Sequence, residues 1–149
     1  MIKENIKATG LVSFVLTDAN GNIKEQQDHN LVVNSGLAHI AGRLMGSPTA
    51  MSHIAVGTNT TSVAATDTAL GTESARVALD STTNVTTNVT NDTVQYIATF
   101  APGTGTAALT EAGIFNDASI GVMLARTVFP VINKGAGDTL TITWKVTVA

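Results

Sequence analysis

Carboxylates are the first side chains in this sequence to consider for catalysis. There are 11 Asp and Glu residues against 8 Lys and Arg, and glycoside hydrolysis requires two carboxylates across a sugar-binding cleft. Most of these acids fall in predicted turns, where Asp favours local hydrogen bonds to the backbone. The aromatic residues that could form a sugar platform instead fall on predicted strand faces: Phe14, Tyr96, Phe100, Phe115, Phe129 and Trp144. We therefore predict turn-forming carboxylates, an aromatic core and no catalytic residues.

Metal-binding and nucleophilic sites have equally weak support. The segment Asp18–Asn22 matches the start of a calcium loop, but its Gly comes too early and the twelfth position is His29 rather than Glu. The three histidines lack the i, i+4 helical spacing of a zinc site, and no serine has a Gly-x-Ser-x-Gly context. No Gly-rich loop joins a strand to a helix as phosphate sites require. We expect no metal, no cofactor and no enzymatic activity.

Composition narrows the class of protein further. The chain has 149 residues, of which 44% are hydrophobic and 13% are charged, so it can bury a core and is not expected to be disordered. Its net charge is −3 with scattered basic residues, which argues against nucleic acid as a partner. Without cysteine it can form neither disulfides nor thiolate sites. No apolar run reaches the length of a membrane span, and no hydrophobic leader is evident, so we expect synthesis in a cytoplasm and no membrane partner.

The elements that must position any functional residue are mainly strands. Abundant Thr and turn-forming Asn and Gly favour roughly eight strands joined by turns, among them Ile6–Thr17, Val85–Thr90 and Val122–Phe129, the last closed by Pro130. The final strand is the clearest, because five apolar residues alternate there with Thr and Lys, as in a half-buried antiparallel strand: Leu140, Ile142, Trp144, Val146 and Val148.

One short helix is predicted after the first hairpin. Apolar residues at i, i+3, i+4, i+7 and i+8 would form a single face that packs on the sheet: Leu37, Ile40, Ala41, Leu44 and Met45. Asn34 or Ser35 would cap its start, and Gly46 with Pro48 would end it. The sequence as a whole predicts an all-β fold with one short helix, an antiparallel β-sandwich or jelly-roll-like domain that spans residues 1–149, with residues 1–7 as an extended N-terminal arm.

Two segments are candidates for a partner interface. The arm carries Met1, Ile2, Lys3 and Ile6, of which the apolar residues have no obvious place in a core. The long connection from Thr58 to Thr72, which includes Asn59 and Thr60, has no periodicity, and loops of this length are uncommon in compact domains unless they are functional. The alternatives are that Ile6 begins the first core strand and that the connection is merely solvated.

Several phrases of the sequence are similar to those of small β-rich virion proteins of tailed bacteriophages. They extend over most of the chain from Asn30 onward. The phrases are Asn30–Leu37, His53–Thr58, Ala64–Glu73 leading to Arg76, Thr110–Phe115, Met123–Thr127 and Asp138–Val148. The chain therefore resembles phage structural proteins, although these phrases are shared by head and tail proteins.

This resemblance implies a capsid decoration, or cement, protein. Such a protein would bind the outside of a shell of major capsid protein, associate with copies of itself as a dimer or trimer, and reside on the virion surface after synthesis in the host bacterium. It would stabilise the shell and would have no small-molecule substrate. A tail, baseplate or tail-fibre adaptor and a host-binding module remain alternatives, and a carbohydrate-active enzyme is a third.

Overall fold

The computed structural model describes residues 4–149, and their architecture is antiparallel β with one short helix. The elements are β1 (Ala8–Thr17), β2 (Ile23–Val32), α1 (Asn34–Arg43), β3 (His53–Gly57), β4 (Glu73–Ala78), β5 (Ser81–Val85), β6 (Thr93–Phe100), β7 (Ala107–Phe115), β8 (Met123–Lys134) and β9 (Thr139–Val148). The nine strands form a curled sheet in the order β4-β3-β7-β8-β2-β1-β9-β6-β5. The predicted all-β fold class is confirmed.

The main core lies inside this curl and contains every aromatic residue except Phe115, which is buried in a smaller separate cluster. Phe14, Phe100, Phe115 and Trp144 are almost completely buried, and Phe14 packs on Phe129 with ring centroids 4.3 Å apart. In β9 the predicted alternation is also confirmed, because Leu140, Ile142, Trp144 and Val146 face the core. Val148 departs from the prediction, since it lies at the end of the strand and is 41% exposed.

Three strand boundaries differ from the sequence prediction. β1 begins at Ala8 rather than Ile6, and the predicted strand Val85–Thr90 is replaced by β5 at Ser81–Val85. β8 does not stop at Pro130 but continues to Lys134. The pairing of β7 with β8 is irregular near Thr110. Leu109 pairs with Ile132 but Glu111 pairs with Val128, so the register shifts between these two pairs. Pro130 lies in this irregular stretch, where the amide that proline lacks is not needed for the ladder.

The helix exists where it was predicted, but the predicted orientation is wrong. Its buried residues are Gly36 and His39, and Ile40 packs partly against the core. The other apolar residues of the predicted face are exposed: Leu37, Ala41, Leu44 and Met45. A Cβ on Gly36 would lie 2.0 Å from the carbonyl oxygen of Leu124, so the helix backbone rests directly on β8. The smallest residue therefore sets the contact face.

The predicted helix cap is also absent. The N-cap residue is Val33, and no side chain caps the helix. The Ser35 hydroxyl instead donates a hydrogen bond to the carbonyl of Met123 (2.9 Å), and a His39 ring nitrogen lies 2.8 Å from the carbonyl oxygen of Thr49. These contacts hold the helix on β8 and on the segment before β3. No helix among residues 4–149 is long and apolar enough to cross a membrane.

The turn between β5 and β6 is held by one carboxylate. Asp92 accepts hydrogen bonds from the backbone amides of Thr87, Asn88 and Val89, each at 2.9 Å, and from the hydroxyl of Thr93. These bonds, led by the one from Val89, hold the pKa of Asp92 well below its ordinary value of 3.8. The ionised carboxylate is therefore the form that stabilises this turn.

Replacing Asp92 with Asn is expected to destabilise the protein at pH 7 but not in strong acid. Because the folded-state pKa is lower than the unfolded one, this stabilisation is present above the unfolded value and is lost as the pH falls below about 4. Urea unfolding followed by Trp144 fluorescence from pH 7 to pH 2 measures the difference. Asp28→Asn is the control, and a wild-type advantage over Asp92→Asn that does not change with pH would contradict this account.

Candidate binding surface

A buried ion pair lies at the centre of the most elaborate polar network in the structure. Glu111 on β7 and Arg126 on β8 are 0% and 2% exposed. The Nε and Nη2 atoms of Arg126 donate to Oε2 of Glu111 at 3.1 and 2.9 Å. The strand register pairs Gly113 with Arg126, so Glu111 is a diagonal neighbour of Arg126, two residues along β7. Antiparallel pairing thus brings both charges together inside the protein.

The Glu111 carboxylate also binds both ends of the connection between β3 and β4. It accepts hydrogen bonds from the amides of Asn59 (3.3 Å), Gly71 (2.9 Å) and Thr72 (2.7 Å). A Cβ on Gly57 would lie 2.2 Å from the carbonyl oxygen of Thr72 and 2.5 Å from Oε1 of Glu111. Glycine at position 57 therefore lets the ends of the connection approach the carboxylate.

Arg126 binds the middle of the same connection. Its Nη1 donates to the carbonyl of Thr61 (3.1 Å) and to Oδ2 of Asp67 (3.0 Å), and Asp67 in turn accepts a hydrogen bond from the amide of Ala64. Leu70 is buried in a small apolar cluster with Phe115. The connection from residue 58 to 72, called the pinned loop below, is therefore fixed at its ends and its centre.

The pinned loop contains three of the residues predicted as a partner interface. Thr58 and Thr60 are exposed, while Asn59 is half-buried and its Oδ1 accepts a hydrogen bond from the amide of Thr61 (2.8 Å). The backbone of this connection is bonded to the buried Glu111 and Arg126, while most of its residues are exposed. Contact with a partner remains a prediction, and a loop ordered before binding loses less conformational entropy when it binds.

The N-terminal arm is described only in part. Met1, Ile2 and Lys3 lie outside the described residues. Ile6 is 79% exposed and precedes β1, so the alternative that it begins the first core strand is wrong. The arm meets the sheet at Lys7, whose amide and carbonyl bond to Ala149.

A second exposed loop, between β7 and β8, is held in a similar way. The guanidinium of Arg76 lies 3.8 Å from the centre of the Phe115 ring, and its Nη1 donates to the carbonyls of Asp117 (2.9 Å) and Ile120 (3.0 Å). Ile120 is 85% exposed and has a φ of 60°. That conformation is unfavourable for a β-branched residue, and backbone strain of this kind is concentrated at functional sites.

Sequence reasoning missed the Glu111–Arg126 pair, because it assigned the acidic residues mainly to turns. Glu111 falls in the apolar segment Leu109–Phe115, and Arg126 falls in the predicted strand Val122–Phe129. A charge in each of two paired apolar strands indicates a buried ion pair, since isolated buried charges are costly. That pattern was visible in the sequence.

The remaining chemical candidates have local structural roles. Asp18 accepts hydrogen bonds from the amides of Asn20 and Asn22 and from the Asn22 side chain, and the side-chain bond is the main cause of its lowered pKa. A ring nitrogen of His53 lies 2.7 Å from the hydroxyl of Ser52. Within residues 4–149, no three His, Asp or Glu side chains come close enough together to hold a metal ion.

The candidate surface thus consists of two exposed loops held by buried or stacked arginines, together with the partly described arm. Comparison with known proteins adds no further assignment: no family model, no curated protein and no solved structure matches this chain.

Proposed function

We propose that this chain is a bacteriophage virion structural protein, and specifically a capsid decoration protein that binds the outside of the major capsid protein shell. The observation that carries the proposal is the position of the pinned loop. Its buried anchors Glu111 and Arg126, and the half-buried Asp67 that Arg126 binds, all lie in phrases that resemble phage virion proteins. The polar network holds an exposed loop in place and does not form the wall of a reaction site. A binding module requires such a fixed, exposed loop.

The proposed mechanism is multivalent attachment. A decoration protein contacts several capsid subunits at once, so contacts of modest affinity act together through their high effective concentration. Such contacts would come from exposed residues on the two fixed loops and would need no rearrangement. They are Thr58 and Thr60 on the pinned loop and Ile120 on the loop between β7 and β8. In this proposal the protein forms no covalent bond and needs no cofactor.

Binding to empty capsid shells tests this function directly. We expect the wild-type protein to co-sediment with shells and Thr60→Arg to bind at least about tenfold more weakly, because a rigid loop cannot move a new charged side chain out of a packed interface. Thr106→Arg, in another exposed loop, is the matched control. Equal binding by wild type and Thr60→Arg would contradict a role for the loop, and no binding by either would contradict the decoration function.

The alternative from a different class is a tail adaptor or host-binding module, favoured by the exposed and strained Ile120. In that case soluble protein would compete with phage for adsorption to the host, and Ile120→Asp would abolish the competition. Virions stripped of the protein would then retain their DNA on heating as well as untreated virions do. The decoration proposal expects the opposite result in both experiments.

A further inference from the structure

A cavity of about 440 Å³ opens between helix α1 and the part of the sheet formed by β5, β6 and β9. Its walls are mainly apolar, and they include Ile40, Leu44, Met51 and Val146. Leu44 is 89% exposed at this site, and cavities of the size that ligands fill are lined mainly by apolar side chains. The cavity is therefore a candidate binding site outside the pinned loop.

One rim of this cavity is a free strand edge. Thr82, Thr83 and Asn84 of β5 line it, and β5 pairs with β6 on one side and with no strand on the other among the described residues. The strand reads Ser-Thr-Thr-Asn-Val, without the Lys, Pro or bulge that usually protects an edge from pairing. An unprotected edge beside an apolar cavity suits an added extended strand, whose side chains can enter the cavity.

The other rim carries a positive charge. Arg43 lines the cavity, donates from Nη1 to the carbonyl of Pro48 (2.7 Å), and forms no ion pair with any carboxylate of residues 4–149. Burial raises the pKa of the Tyr96 hydroxyl in the same cavity, and the charge of Arg43 acts against that shift. The cavity therefore favours an extended segment that combines apolar side chains with a carboxylate.

The N-terminal arm of this protein has that combination. Ile2, Glu4 and Ile6 alternate in sequence, so an extended arm presents them on one face. Lys7 is bonded to Ala149 of its own sheet, so six residues of the arm can extend from it. At about 3.3 Å per residue they span about 20 Å, enough to cover the length of the five-residue strand β5. Glu4 and Ile6 are exposed in the chain described here, so they do not fill their own cavity.

We propose that the N-terminal arm of a second copy pairs with the free edge of β5, placing its Ile6 over the cavity and its Glu4 beside Arg43. The two copies are thereby joined by backbone hydrogen bonds, an apolar contact and an ion pair. This self-association does not depend on the capsid proposal, because every residue that it uses belongs to this chain.

A charge exchange tests the predicted pairing of Glu4 with Arg43. We expect Arg43→Glu and Glu4→Arg each to weaken self-association about 5- to 10-fold in sedimentation velocity, and the double variant to restore most of it. Lys145→Glu, an exposed charge reversal on β9, is the control. A protein that stays monomeric at all concentrations, or a double variant no better than the single ones, would overturn the proposal.

Cross-linking tests the predicted position of the arm. Because the chain contains no cysteine, mixing Ile6→Cys protein with Thr83→Cys protein allows only defined disulfides. We expect oxidation of the mixture to yield mainly the mixed dimer, whereas mixing Ile6→Cys with Thr106→Cys should not. If the double variant Ile6→Cys/Thr83→Cys forms only an intramolecular disulfide, the arm binds its own chain and the second copy is excluded. These results are independent of binding to capsid shells.

Discussion

Replacing Arg126 with Met is expected to lower the free energy of unfolding by about 3 to 5 kcal/mol, because removing one member of a buried ion pair leaves the other charge without compensation. Glu111 is 0% exposed and would keep only the three amide hydrogen bonds from the pinned loop. The carbonyl of Thr61 would also lose the donor Arg126, and Asp67 would keep the amide of Ala64 but lose its ion pair. Urea unfolding at pH 7, followed by Trp144 fluorescence, measures this loss.

The same variant should release the pinned loop before the protein unfolds. Hydrogen exchange at the amides of Gly71 and Thr72, which bond to Glu111, is expected to become faster than exchange in the central strands. Lys145→Met removes an exposed charge and should change stability by less than about 0.5 kcal/mol. An Arg126→Met variant that loses less than about 1 kcal/mol, with loop amides still protected, would show that the pair does not support the loop.

Replacing Trp144 with Ala is expected to cost about 3 to 5 kcal/mol, the range for truncating a buried aromatic residue. Trp144 is fully buried on β9, which lies between β1 and β6 in the sheet, and its Nε1 donates a hydrogen bond to Oδ1 of Asn30 (2.6 Å). Truncation leaves both a cavity and an unpaired oxygen. Nδ2 of Asn30 is already buried without a partner, so the whole amide group would be unsatisfied.

Circular dichroism during thermal unfolding suits the Trp144 variant, because the substitution removes the only tryptophan of the chain. Thr143→Ala is the matched control, since its side chain lies next in sequence but points to the opposite face of β9. A drop in stability similar to that of Thr143→Ala would mean that the central strands do not depend on the packing of this ring.

The strands of the core could be predicted because their pattern is local. In β9 a period of two over ten residues specifies both the element and its buried face. Strand ends were less predictable, as at β5, where the residues Ser81–Val85 are mostly polar and exposed. Pairing with β6, rather than any preference of these residues, determines where that strand lies.

The orientation of the helix could not be predicted from its apolar residues. Periodicity analysis assumes that the largest apolar side chains face the core, but here Gly36 rests on the backbone of β8 and Ser35 bonds to Met123. A close backbone contact depends on the absence of a side chain, which a hydrophobic pattern does not record. The exposed Leu44 that results from this orientation lies at the cavity beside β5.

One charge in each of two apolar strands indicated the Glu111–Arg126 pair, but the loop that this pair holds could not be predicted. Glu111 and Arg126 come together only through the register of β7 and β8, and the loop that they hold lies about 40 to 65 residues away in sequence. The length of the loop indicated a functional segment, because loops of this length are uncommon in compact domains. Its fixed conformation became evident only from the contacts.

The pairing of β1 with β9 determines when this protein can fold during its synthesis. β9 lies between β1 and β6 in the sheet, and Ala8 is paired with Val148. At about 5 to 20 residues per second, a ribosome needs roughly 7 to 30 s to make the chain between these two partners. During that time β1 and β2 can pair as a hairpin. The edges of β1 and β6 that will later pair with β9 remain unpaired and can bind other chains. A nascent chain stalled before β9 should therefore be a substrate for chaperones.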